Sequence, residues 1–180
     1  TINSSRAHAA VLKVPGADGQ SIPLGVITLP AFYGPAATPD PAADPTRDSK
    51  DVARLIDELK GAGIKGLVLD LRHNGGGFLS EAIDLTGLFV RQGPVVQVRN
   101  SAGEIQVDSD TNTSVAYDGP LAVLVDHGSA SASEIVAAAI QETGAGVVIG
   151  QKTYGKALVQ TINPIPDGSA LLVTTHHYYT

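Results

Sequence analysis

Three stretches of the chain combine reactive residue types with small residues that expose the backbone. The first is Asp70-Leu71-Arg72-His73-Asn74-Gly75-Gly76-Gly77. Glycines directly after a strand let the chain turn sharply and present N–H groups at the carboxyl end of a sheet, where α/β proteins bind ligands. Such donors suit an anion or an oxyanion; a plain strand-to-helix turn is the bland alternative. The second stretch is Ser129-Ala130-Ser131-Ala132-Ser133-Glu134. Ser131 and Glu134 have the spacing of a capping box, which by itself accounts for both. The chemical alternative is a serine nucleophile at a helix N-terminus, with the following N–H groups as oxyanion donors. No G-x-S-x-G elbow is present, because Ala132 follows Ser131 and no glycine comes after it. The third stretch, Gly150-Gln151-Lys152-Thr153-Tyr154-Gly155-Lys156-Ala157, nearly matches a phosphate-binding loop. Ala157 stands where a magnesium-binding hydroxyl belongs, and the residues after it read as a strand rather than a helix. Nucleotide binding is therefore not expected.

A serine needs a base. A lysine amine serves if its pKa falls from ~10.4 towards 7; at the ordinary value only about one lysine in 2500 is neutral at pH 7. Desolvation lowers it. Lys156 has Tyr154, Ala157, Leu158 and Val159 for apolar company and no acid close in sequence, whereas Lys152 has fewer such neighbours. An exposed turn lysine is the alternative reading. Among the five histidines, His127 lies four residues before Ser131 and is the best rival base, with Asp70 or Asp126 completing a triad. Metal binding has little support: no H-E-x-x-H occurs, and adjacent His176 and His177 on a strand would point to opposite faces.

The elements that must hold these residues alternate between strand and helix. Strands are expected at Ala7–Val14 and Leu24–Leu29, around a turn at Pro15–Gly19. The prolines of Gly34–Pro45 mark a surface loop. Val52, Leu55, Ile56 and Leu59 have helical spacing, with Ser49 as N-cap and Gly61 as stop. A buried strand Gly66–Leu71 leads through the glycines into a helix at Ser80–Arg91. Strands follow at Val95–Arg99 and Glu104–Val107. A second buried strand, Leu121–Asp126, leads through the serines into an apolar helix at Ser133–Thr143. Strands at Gly146–Ile149, Ala157–Ile162 and Ala170–His176 complete an α/β domain. With 180 residues, 43% hydrophobic and 17% charged, the chain suits one packed domain. A net charge of −6 argues against a nucleic-acid partner. No apolar run approaches the ~20 residues of a membrane span. With no cysteine there is no disulfide and no thiolate metal site, and with no methionine residue 1 is read as other than a natural start.

Taken together, the Asp70–Gly77, Ser129–Glu134 and Thr153–Lys156 segments, with Gln160, resemble the tail-specific (carboxy-terminal processing) proteases, serine endopeptidases with a Ser-Lys dyad. The likeness runs from Val26 to Tyr179. It implies a ClpP/crotonase-like stack of β-β-α units. It implies Ser131 as nucleophile, Lys156 as general base and Gln160 as the residue orienting the lysine. Gly76, Gly77 and the N–H of Ala132 match the oxyanion region, Gly76 being slightly preferred, and Glu134 and Thr153 match supporting polar positions. No cofactor or metal is implied. The implied partners are proteins with apolar C-terminal tails, met in a periplasm or comparable compartment. Ala157 departs from the glycine common in the family, and Glu142 from its aspartate. The whole of residues 1–180 is expected to be catalytic core, without the PDZ domain that usually precedes it and the segment that closes it. Two other readings stay open: a peptide-binding module that does not cleave, and a Ser-His hydrolase using His127.

Overall fold

The computed structural model describes residues 6–17, 19–34, 46–165 and 167–179. Its first sheet is built around four parallel strands rich in β-branched and leucine side chains. β2 (Ser21–Thr28), β3 (Gly66–Asp70), β6 (Leu121–Val125) and β7 (Val147–Gly150) lie parallel in that order, and β1 (His8–Pro15) pairs antiparallel with β2. Parallel strands are buried on both faces, which is why β3 and β6 read as near-continuous apolar runs. The register aligns Ile27 with Leu69 and Leu69 with Val123, and all three are fully buried. Truncating Leu69 to Ala would cost about 2–5 kcal/mol.

Three helices, α1 (Asp48–Gly61), α2 (Leu79–Thr86) and α3 (Ala132–Glu142), add Val52, Ile56, Leu85, Ile135 and Ile140 to the same core. The second sheet has the order β5 (Ile105–Asp110), β4 (Gly93–Asn100), β9 (Ala170–Tyr179), β8 (Leu158–Pro164), all antiparallel. α3 packs on β7 of the first sheet and β4 of the second, so it joins the two layers. No helix among the described residues is long and apolar enough to cross a membrane.

Several boundaries differ from the sequence expectation. The N-cap of α1 is Arg47, not Ser49. Ser49 lies inside the first turn because its hydroxyl and N–H both donate to Glu81 on α2, at 2.9 and 3.3 Å. Gly61 is the last helical residue rather than the stop, and Ala62 caps the end. α2 ends at Thr86, not Arg91, as the chain tightens into i→i+3 bonds at Leu88 and Phe89. β9 runs on to Tyr179, past the expected end at His176. Most of the proline-rich loop, residues 35–45, lies outside the described residues.

One buried feature stands apart from the sheets. Asp48 is fully buried at the start of α1, and neither of its carboxylate oxygens has a hydrogen-bond partner. Burial first, then the neighbouring Glu81 carboxylate, push its carboxyl up to about 8.

Candidate active site

Two loops at the carboxyl ends of neighbouring parallel strands, β3 and β6, form one side of the site. Residues 71–78 follow β3 and residues 126–131 follow β6. They are stitched together through buried polar groups. Asn74 is fully buried; its carbonyl accepts from the Ala130 N–H at 3.0 Å and from the Ser133 hydroxyl at 2.9 Å. Its side chain donates to the Leu29 carbonyl at 2.8 Å and accepts from the Gly76 N–H at 2.9 Å. Ser129, also fully buried, donates to the Leu71 carbonyl at 2.8 Å. Asp126 accepts from the His73 and Gly128 N–H groups, each at 2.9 Å, and pairs with the His73 ring at 2.8 Å. The His73 N–H is the main cause holding the Asp126 carboxyl below its usual range. Asp70 is held low by a two-pronged contact from Arg72, at 2.9 and 2.7 Å.

Ser131 caps α3 in a backbone conformation with φ 58° and ψ −116°, which few side-chain-bearing residues adopt. Strain of this kind costs about 1–3 kcal/mol and clusters at functional sites. Glu134, at the third helical position, closes the capping box by accepting the Ser131 N–H at 2.8 Å. The same carboxylate reaches further than a cap. It accepts the Gly155 N–H at 2.7 Å and the Lys156 N–H at 2.9 Å. One side chain thus grips the backbones of both the serine and the lysine.

The lysine arrives on the segment between β7 and β8. Residues 152–157 are irregular, and β8 begins only at Leu158, so strict strand alternation does not set the Lys156–Gln160 relation. A register shift between Val159 and Gln160 accompanies a direct contact: Lys156 Nζ donates to Gln160 Oε1 at 3.2 Å. Among the described residues the amine has this hydrogen bond and none to the Ser131 hydroxyl. Thr153 lines a second cavity, of about 470 Å³, behind Lys156.

Ser131, Lys156, Gln160, Ala132 and the three glycines all line one cavity of about 530 Å³, walled by apolar residues including Leu79, Ile135, Leu158 and Leu172. Gly76 has φ +98°, and a Cβ on it would meet Ser131 Cβ at 2.8 Å and Ala132 N at 3.0 Å. The missing side chain therefore keeps open the space above the Ala132 N–H, which as the first group of a helix has no partner within it. Of the two glycines matched to the oxyanion region, Gly76 has its N–H engaged by Asn74. The Gly77 N–H has no acceptor among the described residues. His127 is exposed, lies outside the cavity lining and meets Gln151 at 3.1 Å. Both acids considered for a histidine triad are engaged elsewhere, Asp70 by Arg72 and Asp126 by His73.

Two residues of the site carried no assignment from the sequence. Asn74 sat inside the glycine motif, but its partners lie up to 59 positions away. Tyr178, buried on β9, lines both cavities, and its hydroxyl donates to the Lys156 carbonyl. Adjacent tyrosines near the end of a strand gave no hint of which one turns inward.

The mixed α/β fold thus brings a serine, a lysine and a glycine loop to one cavity. The chain belongs to peptidase family S41, whose model matches residues 23–180. It is 41% identical over 153 residues to the tail-specific protease of Haemophilus influenzae, covering 85% of this chain and 20% of that protein. It is 36% identical over 180 residues to the chloroplastic carboxyl-terminal-processing peptidase 2 of Arabidopsis thaliana, covering 99% of this chain and 33% of the relative. The photosystem II D1 C-terminal processing protease superposes with a TM-score of 0.74 at 30% identity, over 97% of this chain and 43% of that one. The chain therefore spans between a fifth and a third of these two curated relatives.

Proposed function

We propose that this chain is the catalytic core of a serine endopeptidase that cleaves proteins recognised through their C-terminal tails. The observation that carries the reading is the shared cavity, where Ser131 at the start of α3, Lys156 from the irregular stretch before β8 and Gln160 on β8 meet the glycine loop. In the reaction, neutral Lys156 takes the hydroxyl proton of Ser131 as the oxygen attacks the scissile carbonyl. The Ala132 N–H, with a donor from the glycine loop, stabilises the oxyanion. Collapse breaks the C–N bond, and the lysine returns the proton to the leaving amine. Water then repeats the sequence on the acyl-serine and frees the acid. Gln160 aims the amine without accepting the proton. The relatives include a bacterial and a chloroplastic protein; the proposal extends to a periplasmic or equivalent compartment and to substrates with apolar tails.

The test uses the full-length protein. Ser131→Ala and Lys156→Ala each abolish cleavage of a tailed substrate while leaving melting unchanged. Lys156→Arg is also inactive, because a guanidinium does not deprotonate in this range. His127→Ala retains most activity. Activity in Lys156→Ala combined with its loss in His127→Ala would falsify the dyad. Binding of tails without cleavage by the unmodified protein would make the chain a recognition module instead.

A further inference from the structure

We propose that Tyr178 positions the Lys156 amine, acting through the lysine's own main chain. The proposal rests on the dyad reading above. Lys156 lies in the irregular stretch before β8, so no strand ladder fixes its backbone. Side chains from two other elements do so instead. Glu134 of α3 accepts the Lys156 N–H at 2.9 Å, and the Tyr178 hydroxyl of β9 donates to the Lys156 carbonyl. The Tyr178 N–H adds a third grip, donating to the Ala157 carbonyl at 3.1 Å. Both polar groups of the lysine backbone are thereby held.

Tyr178 is suited to this task by its setting. It is 6% exposed, sits opposite Val98 of β4, and its ring borders both cavities, the one holding Ser131 and the one behind Lys156. Burial and the Glu134 carboxylate push the phenol well above its ordinary range, a tendency the Ser131 side chain opposes. The hydroxyl therefore stays a donor at any pH where a lysine can act as base. Loss of that donor frees the peptide after Lys156 to rotate. A small rotation there is carried along the four-carbon side chain to Nζ, and a misplacement of about 1 Å can cost 10²-fold in rate.

The decisive variant is Tyr178→Phe in the full-length protein, which removes one oxygen and keeps the ring. We expect kcat to fall about 10–100-fold with KM within about twofold, since the contact orders the catalyst rather than the substrate. Val98→Ala serves as the comparison: it loosens the packing opposite Tyr178 but keeps the hydroxyl, and should leave kcat within about twofold. Unchanged kcat in Tyr178→Phe, alongside an inactive Lys156→Ala, overturns the proposal and leaves the dyad standing. Equal losses of kcat in Tyr178→Phe and Val98→Ala also overturn it, as does a rise in KM as large as the fall in kcat. So does a Tyr178→Phe protein that does not fold, because the hydroxyl would then serve the fold. Activity in Lys156→Ala would instead remove the dyad reading itself.

Discussion

Removing the Glu134 carboxylate should cost more than a helix cap. Glu134→Ala leaves three N–H groups without their acceptor: Ser131 at 2.8 Å, Gly155 at 2.7 Å and Lys156 at 2.9 Å. Gly155 is exposed, so water can replace its partner at little cost. The Ser131 and Lys156 donors are partly buried, and each orphaned donor costs about 1–3 kcal/mol. If about 3 kcal/mol of that total is order held between nucleophile and base, kcat/KM falls about 150-fold. A cap alone would cost about 1 kcal/mol of stability and leave the rate untouched. Glu134→Gln should fall between the two, because its amide oxygen accepts some of the three donors while its NH₂ faces another. The assay is kcat/KM on a tailed substrate in the full-length protein, with the melting temperature recorded in parallel. A lowered melting temperature with unchanged kcat/KM in Glu134→Ala would show that the carboxylate only caps α3.

Gly76→Ala should lower kcat/KM by about 100-fold or more, since its Cβ would press on Ser131 and on the space above the Ala132 N–H; wild-type rates in this variant would mean the oxyanion lies elsewhere. Gln160→Ala should keep measurable activity at about 10–1000-fold below wild type, whereas Lys156→Ala keeps none; an unaltered rate and pH profile would remove Gln160 from the site. Asp48 makes stability depend on pH. Its folded value, about 8, lies above the ordinary 3.8, so its contribution is complete below about pH 4 and is lost as pH rises towards 8. The slope it adds is at most about 1.4 kcal/mol per pH unit, and Asp48→Asn should flatten it in urea unfolding between pH 5 and 8. An identical slope in the two proteins would place the titration elsewhere.

Much of the framework was legible because its signals are local. The apolar runs of β3 and β6 and the spacing of Val52, Leu55, Ile56 and Leu59 state their own burial. The Ser131–Glu134 spacing announced the start of α3 within a residue. What failed was decided by partners distant in sequence. Ser49 has the right side chain for an N-cap, but Glu81 of another helix draws it into the first turn. The apolar residues after Thr86 continue a helical pattern, yet their hydrogen bonds tighten and end α2. At the site, the glycines were visible as glycines, while the engagement of the Gly76 N–H by Asn74 was not. The Lys156–Gln160 contact, which the resemblance implied, arises across a strand start with shifted register that no local pattern marks. Tyr178 could not be singled out, since only the pairing of β9 with β4 turns it towards the lysine.

The grip on Lys156 has a consequence for the order in which the molecule comes into being. A chain leaving the ribosome at about 5–20 residues per second presents its glycine loop first, Ser131 next and Tyr178 later. Non-local strand pairing is slow, because loop-closure entropy must be overcome before the contacts form. Until β9 docks beside β4, the Lys156 backbone lacks one of its two clamps, the Tyr178 hydroxyl, and in the proposed reaction the nucleophile has no steadied base. In the proposed mechanism β9 thus acts as a latch on the chemistry: a half-folded copy, with β9 undocked, carries the serine without a steadied base.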